Sequence, residues 1–254
     1  MSTVLGEQGR AGSSDLQVLA DGIKLRLPSR DDHRDPAWRE RLLQRAQDAP
    51  GQLDSQDVLS LCLGYLLEEE QAARLCAGRL LDTYADLGRV VSASRASLQA
   101  TLAGDGFTAG AIKAIQALML AVLRDPLVHG PVIGSWSMLH DYLRISMGCE
   151  RFECVRVLHL DGQNRLIKDE LHDRGASTLA IVRPLEIVRR AIQLGTKAII
   201  LVHNHPSGDP APSPADIEMT RCFREMLRHQ FILLQDHVIV GRSRCLSLRQ
   251  MQAW

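Results

Sequence analysis

Residues 197–203 read KAIILVH, with no polar break from Ala198 to Val202. A strand of that composition has no face it can leave in water, so the fold must supply covering layers on both sides of the sheet that contains it. The neighbouring sequence offers them. RPLEIVRRAIQLG predicts a helix with Pro184 near its first turn and Gly195 as its stop. A second helix is expected from about Pro214 to His229, followed by a strand in FILLQDHVIVG. Upstream, ECVRVLHLD and RLIKDEL alternate apolar and polar residues around DGQN, the pattern of a hairpin. The C-terminal half is therefore α/β in texture.

The N-terminal half differs. From Pro36 to about Arg124 the apolar residues fall three and four apart, as in DVLSLCLGYL, QAARLCAGRLLDTYADLG and GAIKAIQALMLAVLRD, and no strand alternation interrupts them. Residues 1–34, rich in Gly, Ser, Asp and Arg, read as a loose arm. The stretch DPLVHGPVIGS at 125–135, with two prolines and two glycines, is the expected boundary. Three segments follow: the arm at 1–34, a helical domain at 35–126 and an α/β domain at 131–254.

Charge narrows the partners. Lys+Arg and Asp+Glu are both 30, so the chain has no global field with which to attract nucleic acid or an anionic membrane. The six cysteines form no CxxC pair, which suits buried thiols in a reducing compartment. The start of the chain carries no basic segment leading into an apolar one, and ALMLAVL at 117–123 is far below the ~20 residues of a bilayer span. The expectation is a soluble cytoplasmic protein with no membrane partner. Its oligomeric state is left open.

The chemistry concentrates in HNHPSGDPAPSPAD. Residues two apart on a strand point to one side, so His203 and His205 can aim their imidazoles at one point, and neutral imidazole is a common zinc ligand. Asp216 arrives at the start of the next helix. Two imidazoles and a carboxylate would leave a fourth position for water, the arrangement of a catalytic zinc. SPAD has a second explanation: Ser213 as N-cap and Asp216 three residues on form a capping box, in which the carboxylate bonds the Ser213 amide. Spacing leaves both readings of Asp216 open. Other zinc signatures are missing, since the sequence has no HExxH and no HxE with PCxxC.

The motif H-x-H, about ten residues, then S-x-x-D resembles that of the JAMM (MPN-type) metalloproteases. The wider stretch LGTKAIILVHNHPSGDPAPSPADIEMTR, with LLQDHVIVG after it, is similar to the RadC branch of that family over roughly 131–254. The resemblance implies an α+β JAMM/MPN-type domain, a mixed sheet flanked by helices. It also implies a Zn²⁺ ion held by His203, His205 and Asp216, and a peptidase or isopeptidase activity through metal-activated water on a peptide or protein substrate. Ser213 would be the hydroxyl beside that water and the substrate carbonyl. The family's general base is a glutamate on or just before the first strand of the domain, which the likeness of FECVRVLHLD assigns to Glu153. Glu150 and Glu170 are its rivals, each read as a solvated surface charge. Asp236 and His237 resemble the RadC pattern as well and are read as a hydrogen-bonding element outside the ligand set. His159 is read as facing outward, and His140 and His229 as structural.

RadC proteins also carry a helix-hairpin-helix-like N-terminal region, which 35–126 resembles in degenerate form, with the hairpin near LAGDGFTAGAIKAIQ. Such hairpins offer backbone amides to phosphate, and Asp105 sits where phosphate would lie. Residues 1–130 hold 14 basic and 17 acidic groups, a net charge of about −3, with Glu68, Glu69 and Glu70 adjacent. DNA binding is therefore expected to be weak, and protein–protein or scaffolding contacts are favoured for this half. The alternative functions are a DNA-processing module with an auxiliary metal domain, and a metal domain that only binds a protein terminus.

Overall fold

The computed structural model describes residues 37–49, 51–67, 69–174 and 183–254, together with the backbone of β1 (Leu16–Val18) and β2 (Lys24–Arg26). These two short strands pair antiparallel, Leu16 opposite Arg26, inside the segment expected to be a loose arm; the rest of that segment lies outside the described residues. The chain divides into two compact units, Met1–Ala77 and Gly78–Trp254.

In the first unit, α1 (Ala37–Asp48) and α2 (Ser55–Leu67) bury Trp38, Leu42, Leu59 and Leu63. Gly64 permits their close approach: a Cβ there would lie 2.3 Å from the Trp38 ring. The chain passes from one unit to the other within α3 (Glu70–Tyr84).

The second unit opens with α4 (Leu87–Ser92), α5 (Arg95–Thr101) and α6 (Gly106–His129), whose N-caps Asp86, Ser94 and Asp105 each accept amide hydrogens of the first turn. The 125–135 stretch is not a linker. α6 continues through Pro126, Leu127 and Val132 are wholly buried, and α7 (Trp136–Met147) follows after a short 3₁₀ turn. Pro126 removes one helical hydrogen bond, and the burial of its neighbours against the sheet offsets that loss. Hence the helices at 87–129 share a unit with the sheet. α6 also has the length and apolar composition of a membrane span. It packs here against α4, α5 and α7, and most of its length is left unburied.

The sheet comprises β3 (Cys154–Leu160), β4 (Leu166–Arg174), β5 (Ala198–Asn204), β6 (Leu233–Val240) and β7 (Cys245–Ser247), in the order β4-β3-β5-β6-β7. It is mixed: β5 and β6 run parallel and the other pairs antiparallel. α8 (Pro184–Gln193) and α9 (Pro214–Arg228) precede β5 and β6. Every residue of β5 is buried, as its composition requires. Ile200 and Val202 meet α6 and α7 on one face, and Ile199 and Leu201 meet α8 and α9 on the other. This alternation puts His203 on the α8/α9 face and Asn204 on the opposite one.

Candidate metal centre

His203 ends the buried run of β5 and His205 stands one residue past the strand. The chain then turns, with Gly208 at a φ of 91° that favours glycine and its N–H donating to the His205 carbonyl at 2.9 Å. It re-enters order at Ser213, the N-cap of α9. One ligand atom from each of His203, His205 and Asp216 lies within 4.8 Å of the others, the only such group of three found among the described residues.

Asp216 serves both readings of SPAD, because a carboxylate has two oxygens. Its Oδ2 accepts from the Ser213 backbone N–H at 2.8 Å and the Ser213 hydroxyl at 2.6 Å, completing the capping box. Its Oδ1 faces His203 Nε2 at 3.3 Å, and Oδ2 stands 3.6 Å from His205 Nε2. Burial alone would raise the Asp216 carboxyl; hydrogen bonds from His205 and Ser213 and the neighbouring His203 hold it well below the usual carboxylate range.

The imidazole protons can be traced. The Thr220 hydroxyl donates to the Asp216 carbonyl at 2.5 Å, which leaves its oxygen to accept from His237 Nδ1 at 2.6 Å. His237 Nε2 then accepts from His203 Nδ1 at 2.8 Å, so the His203 Nε2 lone pair points into the site. His205 Nδ1 donates to the Asp209 carbonyl at 2.8 Å, which turns its own Nε2 inward. The two Nε2 atoms are 3.0 Å apart. Converging lone pairs and a carboxylate repel one another unless a cation lies among them. Burial pushes His203 down to about 4, keeping it neutral, whereas the Asp216 hydrogen bond raises His205 against its own burial, a proton there standing in for the cation. Three N/O atoms at ~2.0–2.1 Å from a tetrahedral ion would be about 3.3 Å apart. His203 Nε2 stands 3.0 Å from His205 Nε2 and 3.3 Å from Asp216 Oδ1, close to that spacing, while the other carboxylate oxygen, Oδ2, is the one 3.6 Å from His205.

Residues 133–253 match the family model described as the RadC-like JAB domain. A UPF0758 protein from Rhodobacter capsulatus is 37% identical over 211 residues, covering 83% of this chain and 97% of the relative. A UPF0758 protein from Ruegeria pomeroyi is 36% identical over 197 residues, covering 78% of this chain and 88% of the relative. The chain belongs to the RadC family. JAB domains as a class are associated with metal-dependent hydrolysis.

The other residues singled out in this RadC-family chain fall as follows. Glu153 lies two residues before Val155, the β3 partner of His203, and just ahead of the strand. Its negative charge contributes to raising His205. Ser213 gives its hydroxyl proton to Asp216 and accepts the Asp216 N–H at 3.2 Å, so here it orients the carboxylate. Glu170 is not a free solvated charge: Arg190 of α8 clasps it at 2.7–3.1 Å. His159 does not face outward. It is 1% exposed beneath α8, with Nδ1 3.1 Å from Thr196 Oγ1, because β3 is covered on both faces.

His237 is the hydrogen-bonding element expected of it, with His203 as its partner; Thr220, on the inner side of α9, fixes the histidine protons and escaped the sequence reading. Asn204, between the two histidines, faces the other way. It accepts from the Cys154 N–H at 2.8 Å and donates to the Phe152 carbonyl at 3.1 Å, thereby bracketing Glu153. The alternation of HNH was the available signal for Asn204; nothing in local spacing marked Thr220.

Proposed function

We propose that this protein is a zinc-dependent hydrolase of amide bonds, a peptidase or isopeptidase acting on a peptide or protein in the cytoplasm. The observation that carries the reading is the convergence of the His203 and His205 Nε2 atoms, 3.0 Å apart, on the Asp216 carboxylate. N/O ligands in this number suit zinc better than magnesium, which prefers six oxygens. When bound, zinc would polarise a carbonyl and lower the pKa of a water to ~7. His203, His205 and Asp216 would hold it, their protons fixed by Thr220, His237 and the Asp209 carbonyl. Glu153 takes the proton of the attacking water and returns it to the leaving amine. The Ser213 hydroxyl can turn from Asp216 to a substrate carbonyl, because Oδ2 keeps the Ser213 backbone N–H.

The degenerate hairpin expected near LAGDGFTAGAIKAIQ falls on the α5–α6 turn, and the geometry of that turn argues against the DNA-processing alternative. Asp105 Oδ1 accepts from the Phe107 and Thr108 amides at 2.9 and 3.0 Å, occupying donors that a phosphate would use.

Glu153→Gln tests the hydrolase reading. Peptides that accumulate in cells carrying the variant identify a substrate. On it, the purified variant should retain zinc and lose roughly 10²–10⁴ in rate. A variant as active as the parent would remove Glu153 from the mechanism.

A further inference from the structure

Beside α6, a groove of about 530 Å³ runs between α4 and α7. Its floor is apolar and open, with Leu118 66% and Val122 63% exposed. Its charges are uneven. Arg89 is matched by Asp86 at 3.1 Å and Arg144 by Asp141 at 3.8 Å, and the Nε of each arginine is buried without a hydrogen bond. Arg242 is the third arginine of a lining that holds two aspartates, Asp86 and Asp141. The groove therefore has an apolar floor and a cationic end.

That end adjoins the metal centre. Arg242 donates its backbone N–H to the Gly208 carbonyl at 2.9 Å, and Gly208 donates to His205. Cys149, also in the groove wall, lies four residues before Glu153. Resting on the hydrolase reading, we propose that this groove receives an acidic, leucine-rich segment of the protein substrate, its apolar side chains on α6 and a carboxylate at Arg144 and Arg242. A nucleic-acid backbone would set phosphate against Leu118 and Val122. An anionic bilayer would meet Asp86 and Asp141 on the rim, and a concave surface suits an extended chain better than a plane.

The test uses the full-length Glu153→Gln protein and a fluorescein-labelled octapeptide of alternating leucine and glutamate, read by anisotropy. Saturable binding is expected, weakened about tenfold or more by Val122→Asp and, separately, by Arg242→Glu. Both variants should keep the parent's circular dichroism. A leucine–lysine octapeptide that binds as well, or binding indifferent to both substitutions, would overturn the proposal. So would variants that lose only co-sedimentation with phosphatidylglycerol vesicles. Peptide binding by a protein that hydrolyses nothing would remove the hydrolase reading alone; hydrolysis indifferent to both groove substitutions would remove the groove alone.

Discussion

Asp216 shows how one side chain meets two requirements that sequence spacing presents as rivals. Oδ2 closes the capping box while Oδ1 turns to His203, so the helix start and the ligand set are one construction. Asp216→Ala should therefore lose zinc and also about 1 kcal/mol of stability. Ser213→Ala should lose a similar stability and keep its metal. Zinc content and thermal unfolding of the pair separate the effects; an Asp216→Ala protein with full zinc would reduce Asp216 to a cap. His203, His205 and Asp216 were legible because a strand period of two and a helix N-terminus give them fixed spacing. Thr220 was not, since its contact with His237 joins α9 to β6 across 17 residues with no periodic signature. Glu153 came from resemblance alone, and its influence on the His205 charge arises across two chain segments that no single stretch of sequence encodes.

At the level of elements, the hairpin β3–β4, the helices α8 and α9 and the buried strand β5 all follow their sequence signals closely, down to the left-handed Gly195 after α8. The α7 helix and the short β7 strand gave no comparable warning. β7 is three residues whose pairing depends on β6 being in place. The misreading of His159 has a measurable consequence. Burial pushes it down to about 4, only partly countered by Glu170. The folded state refuses a proton that the unfolded chain accepts near 6.5, so this contribution to stability is full above pH 6.5 and is lost as pH falls towards 4. Its slope there is at most about 1.4 kcal/mol per pH unit. Denaturant unfolding between pH 7 and 4 should show a shallower acid loss in His159→Gln than in the parent. Identical slopes would show that His159 keeps an ordinary affinity for protons.

At the scale of the whole molecule, the prolines and glycines of 125–135 lie inside the second compact unit, with Leu127 and Val132 buried in the sheet's own core, while the family match begins at residue 133. With equal numbers of acidic and basic residues and Asp105 already holding the hairpin amides, the full-length chain should bind duplex DNA only above micromolar concentration at physiological salt, and more weakly as salt rises. A gel-shift titration checks this, and submicromolar binding would revive a DNA-processing role. The central claim, that this fold exists to present a metal to an amide bond, is tested most directly by elemental analysis of the purified chain. The account predicts one zinc per chain, lost in a His203→Ala, His205→Ala variant that keeps the parent's circular dichroism. Undiminished zinc in that folded variant would contradict it.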